Sequence, residues 1–325
     1  MSVTTTPPPI PGTPLDPPPK PAPEKVRQLE ARDGAVGTGV GVGYRAFSRF
    51  SHAKATLLAA GTTYYMFLAM FSVIAFGYGI AATLGADQIS SYLTEAIGNA
   101  FPGLLGEDGI DPATLRTAGQ AVGVIGLLGL LYGGGGAANA AFQSVHLIYG
   151  APKDSRSFVV ARLRGLMWLV VIGPLILLSF VASSFTADLS DRVFDALGIA
   201  WQGSDVLLAI ASLALALGVN YLVIYLVLGN FGGIRPPSRA RTVGALVGAV
   251  VIEILKTFMT LLISFTIAKP QYGALAAPIG ILFVLFLLSA ALYASAALTA
   301  GVADKDVPLD LLELDSVEEA QAARR

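Results

Sequence analysis

Residues 55–83 read ATLLAAGTTYYMFLAMFSVIAFGYGIAAT and contain no charged side chain. An α-helix rises about 1.5 Å per residue, so roughly 20 apolar residues cross the hydrocarbon core of a bilayer. Because lipid offers no hydrogen-bond partner to the backbone, a spanning segment must satisfy its peptide groups internally. The stretch is therefore predicted to form a transmembrane helix.

Five similar apolar stretches follow along the chain, at 119–147, 163–187, 205–229, 242–267 and 277–302. Of all residues, 54% are hydrophobic and 13% are charged, whereas a soluble domain has about 25% charged residues. An apolar excess of this size must face lipid. The sequence thus predicts an all-α, polytopic membrane protein with about six transmembrane helices.

The distribution of cations between the loops predicts the orientation of these helices. Cations are concentrated before the first helix and in the second and fourth loops: Lys20, Lys25, Arg27, Arg32, Arg45, Arg49, Lys54, Lys153, Arg156, Arg162, Arg164, Arg235, Arg239 and Arg241. The opposite loops contain Arg116, Arg192 and Lys269 among many acids. By the positive-inside rule, the N and C termini are predicted to be cytoplasmic.

The segments outside the spans have their own composition. Residues 1–42 begin proline-rich and are predicted to be a disordered cytoplasmic tail, because they bury too little apolar area to offset ordering. Residues 43–54 mix aromatic and basic side chains, which predicts a helix on the membrane surface with cations such as Arg45 at the headgroups. The transmembrane domain is placed at 43–303, and an acidic cytoplasmic tail at 304–325.

The first outer loop, residues 84–118, is the longest. Ile89, Leu93 and Ile97 recur at four-residue spacing in it, with Phe101 after them. This pattern predicts an amphipathic helix on the outer leaflet or over the mouth of the bundle. A cover for the helix ends and a lid over a cavity are both consistent with it.

The sequence lacks the residues that most enzymes need. It has no cysteine, its two histidines (His52 and His146) are far apart, and it contains no zinc-protease, nucleophile-elbow or phosphate-loop motif. We therefore predict no enzymatic activity, no catalytic residue, no metal and no cofactor. The net charge is −1, so the chain has no overall positive field that would attract nucleic acid, and we predict no nucleic-acid partner. The predicted partners are membrane lipids and a lipid-like or polar substrate, and a homo-oligomer is left open.

Glu253 and Lys256 stand near the middle of the fifth predicted span. Ionisable side chains there are costly and rarely face lipid, and at this spacing the two can pair on one helix face. The same face continues in small or polar residues, ending in Thr257, Thr260 and Ser264. Two interpretations remain open: the stripe lines a pathway for a polar or amphipathic substrate, or the pair is a structural ion pair.

The second predicted span contains four consecutive glycines, Gly133, Gly134, Gly135 and Gly136. Small residues allow close helix packing, which we favour over a broken helix of the kind found in transporters. Asn139 and Gln143 on this helix, and Asn220 on the fourth, are predicted to hydrogen-bond across the bundle.

Several motifs occur in a familiar order. They are Ala59-Ala60-Gly61-Thr62-Thr63-Tyr64-Tyr65-Met66-Phe67-Leu68, Ile148-Tyr149-Gly150, Ser155-Arg156-Ser157-Phe158-Val159-Val160-Ala161-Arg162-Leu163-Arg164, Glu253-Ile254-Leu255-Lys256-Thr257-Phe258 and Tyr272-Gly273-Ala274-Leu275-Ala276. With the glycine-rich second helix, they resemble the YihY/BrkB family of bacterial inner-membrane proteins, once described as ribonuclease BN. The resemblance covers roughly residues 46–303.

This resemblance implies a role in envelope integrity in the bacterial cytoplasmic membrane. Two functions fit that role: translocating or sheltering a lipid or other amphipathic substrate, and acting as a non-transporting scaffold for envelope machinery. The ribonuclease activity is not expected, because the sequence shows no nuclease site.

Overall fold

A computed structural model describes residues 23–32, 34–85, 87–100, 105, 110–150, 160, 163–175, 203–231, 236–267 and 276–305. Within these ranges the chain is helical and forms no β-strand, which confirms the all-α prediction. The helices are α1 (Glu24–Glu30), α2 (Ala35–His52), α3 (Ala55–Leu84), α4 (Asp87–Ala100), α5 (Pro112–Ile148), α6 (Leu163–Leu175), α7 (Gly203–Leu226), α8 (Ser238–Ile267) and α9 (Ala276–Ala303). A π-helical turn, Val227–Phe231, directly follows α7.

Four helical segments among the described residues are long and apolar enough to cross a membrane: Ala55–Leu84, Ala121–Ile148, Ile210–Gly229 and Pro278–Ala303. They correspond to the first, second, fourth and sixth predicted spans, so the chain is a multi-pass membrane protein.

The other two predicted spans are not among these four segments. The third is described only over the short helix α6, and its remainder, 176–187, lies outside the described residues. The fifth lies within α8, whose 30 residues rise about 45 Å. A total of six spans, with both termini in the cytoplasm, stays a prediction.

Helix α2, near the start of the described chain, packs along α9, the last helix. A Cβ atom at Gly301 would lie 2.8 Å from the carbonyl oxygen of Val42, so the two backbones are in direct contact. Helical structure therefore starts earlier than residue 43, within the segment assigned to the N-terminal tail, while residues 1–22 of that segment lie outside the described residues.

Arg45 departs from its predicted environment at the lipid headgroups. Its side chain is buried and forms an ion pair of 2.6 Å with Glu30 of α1. Further along α2, Arg49 forms an ion pair of 2.8 Å with Asp304, just after α9. Acidic partners within the fold thus replace the headgroups, because α2 lies against other helices rather than alone on the membrane.

The most extensive helix packing joins α3 and α5. Asp111 caps the N-terminus of α5, and its carboxylate accepts hydrogen bonds from the backbone nitrogens of Ala113 and Thr114, at 2.9 and 3.2 Å. It then continues without interruption through the four glycines to Ile148. A Cβ at Gly133 would lie 2.8 Å from the backbone nitrogen of Ala69.

Two hydrophobic clusters complete the bundle. The larger joins α3, α5, α7, α8 and α9, and its buried members include Ala59, Val145, Ile224, Ala249 and Tyr293. The smaller lies between α3 and α9, and Leu93 and Ile97 of α4 pack against it. The amphipathic pattern of the first loop therefore forms a helix whose apolar side meets the bundle.

Candidate functional site

Glu253 and Lys256 lie one turn apart on the inner face of α8. Lys256 Nζ donates a hydrogen bond of 3.2 Å to Glu253 Oε2. The two residues are only 6% and 8% exposed. Their burial follows from the pattern of α8, whose opposite face carries exposed apolar side chains at Val247, Val251 and Ile254.

A third residue, Asn220 of α7, joins the pair. Its side-chain Nδ2 donates to Glu253 Oε2 at 2.7 Å, and its Oδ1 accepts from Lys256 Nζ at 3.1 Å. Asn220 is itself 6% exposed. We call Asn220, Glu253 and Lys256 the α7–α8 cluster, in which each member is hydrogen-bonded to the other two.

Close packing against α9 fixes the position of α8, the helix that carries Glu253 and Lys256. A Cβ at Gly244 would lie 2.8 Å from the carbonyl oxygen of Ser295, and one at Gly248 would lie 2.9 Å from Ser295 Cβ. Only glycine permits so close an approach of the two helices. The backbone of α8 is thereby fixed against α9, while Asn220 approaches from α7.

The free-energy cost of an unpaired buried charge explains why the three side chains must be hydrogen-bonded to one another. An unpaired charge in a low-dielectric interior is strongly destabilising, by about 3–5 kcal/mol when one partner of a buried pair is removed. In the α7–α8 cluster, the carboxylate and the ammonium neutralise each other, and the amide supplies both a donor and an acceptor. The cluster can therefore be stable inside the bundle.

The remaining predicted site residues are not all brought to this cluster. Thr257, Thr260 and Ser264 continue along α8, but their side chains lie outside the described residues. The glycine run lies elsewhere: a Cβ at Gly134 would lie 2.6 Å from Leu169 of α6, and one at Gly136 would overlap the ring of Tyr65 on α3.

The two amides of α5 stand in different environments. Gln143 is exposed and Asn139 is half-buried beside α6, where a Cβ at Gly165 would lie 3.5 Å from its backbone nitrogen. Within the described part of the chain, neither side chain makes the predicted hydrogen bond across the bundle. The face of α5 that meets α3 is formed by the glycines, and hydrogen bonds of Asn139 and Gln143 across the bundle stay a prediction.

Sequence reasoning missed a second buried polar group at Tyr293 of α9. This tyrosine is fully buried, and its hydroxyl is hydrogen-bonded to the hydroxyls of Thr62 on α3 and Ser144 on α5. The tyrosine within an apolar helix could have indicated this group from the sequence, because a buried phenol usually has a hydrogen-bond partner. This group ties three helices together.

The end of α7 forms a third polar arrangement that the sequence did not indicate. Tyr149 donates its hydroxyl to the carbonyl oxygen of Leu228 at 3.0 Å, within the π-helical turn. Arg241 donates to the carbonyl oxygen of Tyr225 at 2.7 Å and lies over its ring. These donors satisfy carbonyls at a helix end that lacks ordinary helical partners. No group of three or more His, Cys, Asp or Glu side chains in the described ranges could hold a metal ion.

Comparison with known proteins identifies the family. The family model described as Virulence factor BrkB matches residues 46–315. No curated protein and no solved structure matches the chain. The family match includes α3, α5 and the α7–α8 cluster, and it confirms the resemblance drawn from the sequence motifs. Because it covers most of the sequence, the chain belongs to the virulence factor BrkB family.

Proposed function

We propose that this chain is a bacterial inner-membrane protein that supports envelope integrity by translocating or sheltering a lipid or another amphipathic substrate. The observation that carries the proposal is the α7–α8 cluster, a buried carboxylate and ammonium bridged by an amide. Ionisable residues at membrane depth are costly and often mark substrate pathways. Such a protein would move or shelter its substrate without changing it chemically, and we propose no nuclease activity for the chain.

Helix α8 has the two surfaces that an amphipathic substrate requires. Glu253 and Lys256 lie on its buried side, and Val247, Val251 and Ile254 are exposed on the other. A headgroup entering beside the cluster would exchange water for hydrogen bonds to charged side chains, while its acyl chains stayed on the apolar face. This division of roles favours an amphiphile over a small polar ion.

The experiment is lipid translocation in proteoliposomes. A fluorescent phospholipid and a membrane-impermeant quencher report the rate, and wild type is compared with Glu253→Gln/Lys256→Met. This variant removes both charges while keeping similar side-chain volume. We expect the wild type to translocate lipid and the variant to lose at least about nine-tenths of that rate, since a tenfold change corresponds to only about 1.4 kcal/mol. Wild type without activity, or a folded variant with full activity, contradicts the proposal.

A non-transporting scaffold is the second candidate function, and the docking of α2 on α9 favours it. The Arg49–Asp304 ion pair brings the segment before the first span close to the end of the last one. The end of α2 thus lies beside the start of the C-terminal tail, and a partner could contact both. Deleting residues 1–22 and 306–325 leaves every helix named above intact. Loss of envelope function in that variant, with lipid translocation unchanged, would favour the scaffold.

A further inference from the structure

We infer that the α7–α8 cluster selects amphiphiles with a zwitterionic headgroup, one that carries both a phosphate and an ammonium group, over those with a net charge. The inference rests on the proposed function and specifies its substrate class. The cluster would bind by exchanging partners, with the ammonium of the headgroup moving to Glu253 and its phosphate moving to Lys256 and Asn220.

Charge balance is the first argument. The cluster holds one carboxylate and one ammonium, so it is neutral as a whole. The two helices packed against α8 add no charge near the cluster in the part of the chain that the structure describes: residues 206–226 of α7 have no charged residue, and neither does α9. On α8 itself, the nearest other charge is Arg241, about 18 Å away along the helix axis. It is hydrogen-bonded to Tyr225.

A cluster that is neutral as a whole discriminates between headgroups by their net charge. A zwitterion adds no net charge, and each half of the opened ion pair gains an opposite charge. An anionic headgroup would take Lys256 and leave the Glu253 carboxylate without a cation, and a cationic headgroup would do the reverse to Lys256. Either case buries an uncompensated charge, which is far more costly than a rearranged pair.

Hydrogen-bond capacity is the second argument. Lysine has three donors and no acceptor, whereas asparagine has both. With phosphatidylethanolamine bound, the phosphate oxygens accept from Lys256 Nζ and from Asn220 Nδ2, and the primary ammonium donates to Glu253 and to Asn220 Oδ1. The quaternary ammonium of phosphatidylcholine has no N–H, so it compensates the charge of Glu253 without donating a hydrogen bond. Each group of the cluster thus keeps at least one partner when the pair opens.

The bond lengths are consistent with such an exchange. Ionic N–H···O bonds are ordinarily about 2.7–2.9 Å long, and the Glu253–Lys256 contact measures 3.2 Å. The Asn220–Glu253 bond is shorter, at 2.7 Å. The ion pair is therefore the looser of the two contacts made by the carboxylate, and it is the one that a competing ammonium would replace.

The test compares headgroups in the full-length wild-type protein, reconstituted in phosphatidylcholine vesicles. Four phospholipids carry the same fluorescent acyl chain: phosphatidylethanolamine and phosphatidylcholine are zwitterionic, phosphatidylglycerol is anionic, and O-ethylphosphatidylcholine is cationic. We expect both zwitterions to move about tenfold faster, or more, than both charged lipids. Equal rates for all four, or a faster charged lipid, overturn the inference and leave the proposed function standing. No movement of any lipid contradicts both.

Single-charge variants test whether the cluster causes the preference. Glu253→Gln leaves a net positive cluster, for which phosphatidylglycerol is the neutralising headgroup, and we expect the preference to shift towards it. Lys256→Gln should shift the preference towards O-ethylphosphatidylcholine. A variant that elutes as a folded protein and keeps the wild-type preference for zwitterions overturns the assignment. Should both variants fail to fold, the wild-type headgroup series decides alone.

Discussion

Asn220 on α7 donates a hydrogen bond of 2.7 Å to the Glu253 carboxylate on α8, across 33 residues of sequence. The same amide accepts a hydrogen bond from Lys256. One uncharged side chain therefore links both members of a buried ion pair to a second helix. The stability of the α7–α8 packing should depend on it.

Replacing Asn220 by leucine tests this dependence. The substitution keeps a similar volume and removes the donor and the acceptor, so the ion pair loses two hydrogen bonds in a buried site. We expect a loss of about 1–3 kcal/mol in the free energy of unfolding, seen as a lower midpoint in thermal unfolding of the detergent-solubilised protein. Gln143→Leu, at an exposed position of α5, is the matched control and should leave the midpoint almost unchanged. Equal midpoints for the two variants would contradict the role of Asn220.

Gly133→Ala tests the close packing of α3 and α5. The added methyl group would lie 2.8 Å from the backbone nitrogen of Ala69, and a backbone neighbour cannot move aside easily. We expect a destabilisation of about 1–3 kcal/mol in the same unfolding measurement. Gly61→Ala on α3 is the control, because a Cβ there has no neighbour within 4 Å. It should stabilise its helix by up to about 1 kcal/mol. The prediction fails if both alanines shift stability in the same direction.

The Arg49–Asp304 ion pair should hold α2 against α9. Both side chains are about one-third exposed, and such pairs contribute about 1 kcal/mol or less. Asp304→Arg replaces this attraction by repulsion, and we expect roughly fivefold faster chymotrypsin cleavage at Tyr44, Phe47 and Phe50 of α2. The double exchange Arg49→Asp/Asp304→Arg restores the pair and should return the rate towards that of wild type. A double variant cleaved as fast as the single one would show that the pair does not hold α2.

The N-cap of α5 should be sensitive to acid. Hydrogen bonds from the Thr114 side chain and the Ala113 backbone lower the pKa of Asp111 below its ordinary value of 3.8. A carboxylate with a lowered pKa contributes stability that is present above the ordinary pKa and is lost as the pH falls through the lowered one. In Thr114→Val, the main cause of the lowering is removed, so the loss should occur at a higher pH than in wild type.

Hydrogen exchange of the first turn of α5, measured by mass spectrometry between pH 2.5 and 6 and corrected for intrinsic exchange, checks this expectation. Amide protection in Thr114→Val should decline at a higher pH than in wild type. Asp111→Ala, which lacks the cap, should show low protection at every pH and serves as the reference. Coincident curves for Thr114→Val and wild type would contradict the prediction.

The two charge assignments on α2 and α8 show where sequence reasoning reached its limit. Glu253 and Lys256 could be paired from their spacing, because a helix places residues three apart on one face. The mixed aromatic and basic pattern around Arg45 predicts that its cation lies at the lipid headgroups. In the fold its partner is Glu30, which lies in a segment predicted to be a disordered tail. Long-range ion pairs depend on which helices meet, and no local pattern encodes that.

Hydropathy along the chain predicted six spanning helices, four of which are found among the described residues, because the free energy of moving a residue out of water is largely a local property of the segment. The four-residue spacing of apolar residues indicated the apolar side of α4, and the small size of glycine indicated that the glycines of α5 form a close helix contact. Only the folded bundle revealed that Gly133 meets α3 while Gly134 meets α6, and that Asn220 completes the ion pair of α8. Those choices arise from the mutual packing of helices distant in sequence, where a single buried hydrogen-bond partner decides whether a charge is stable.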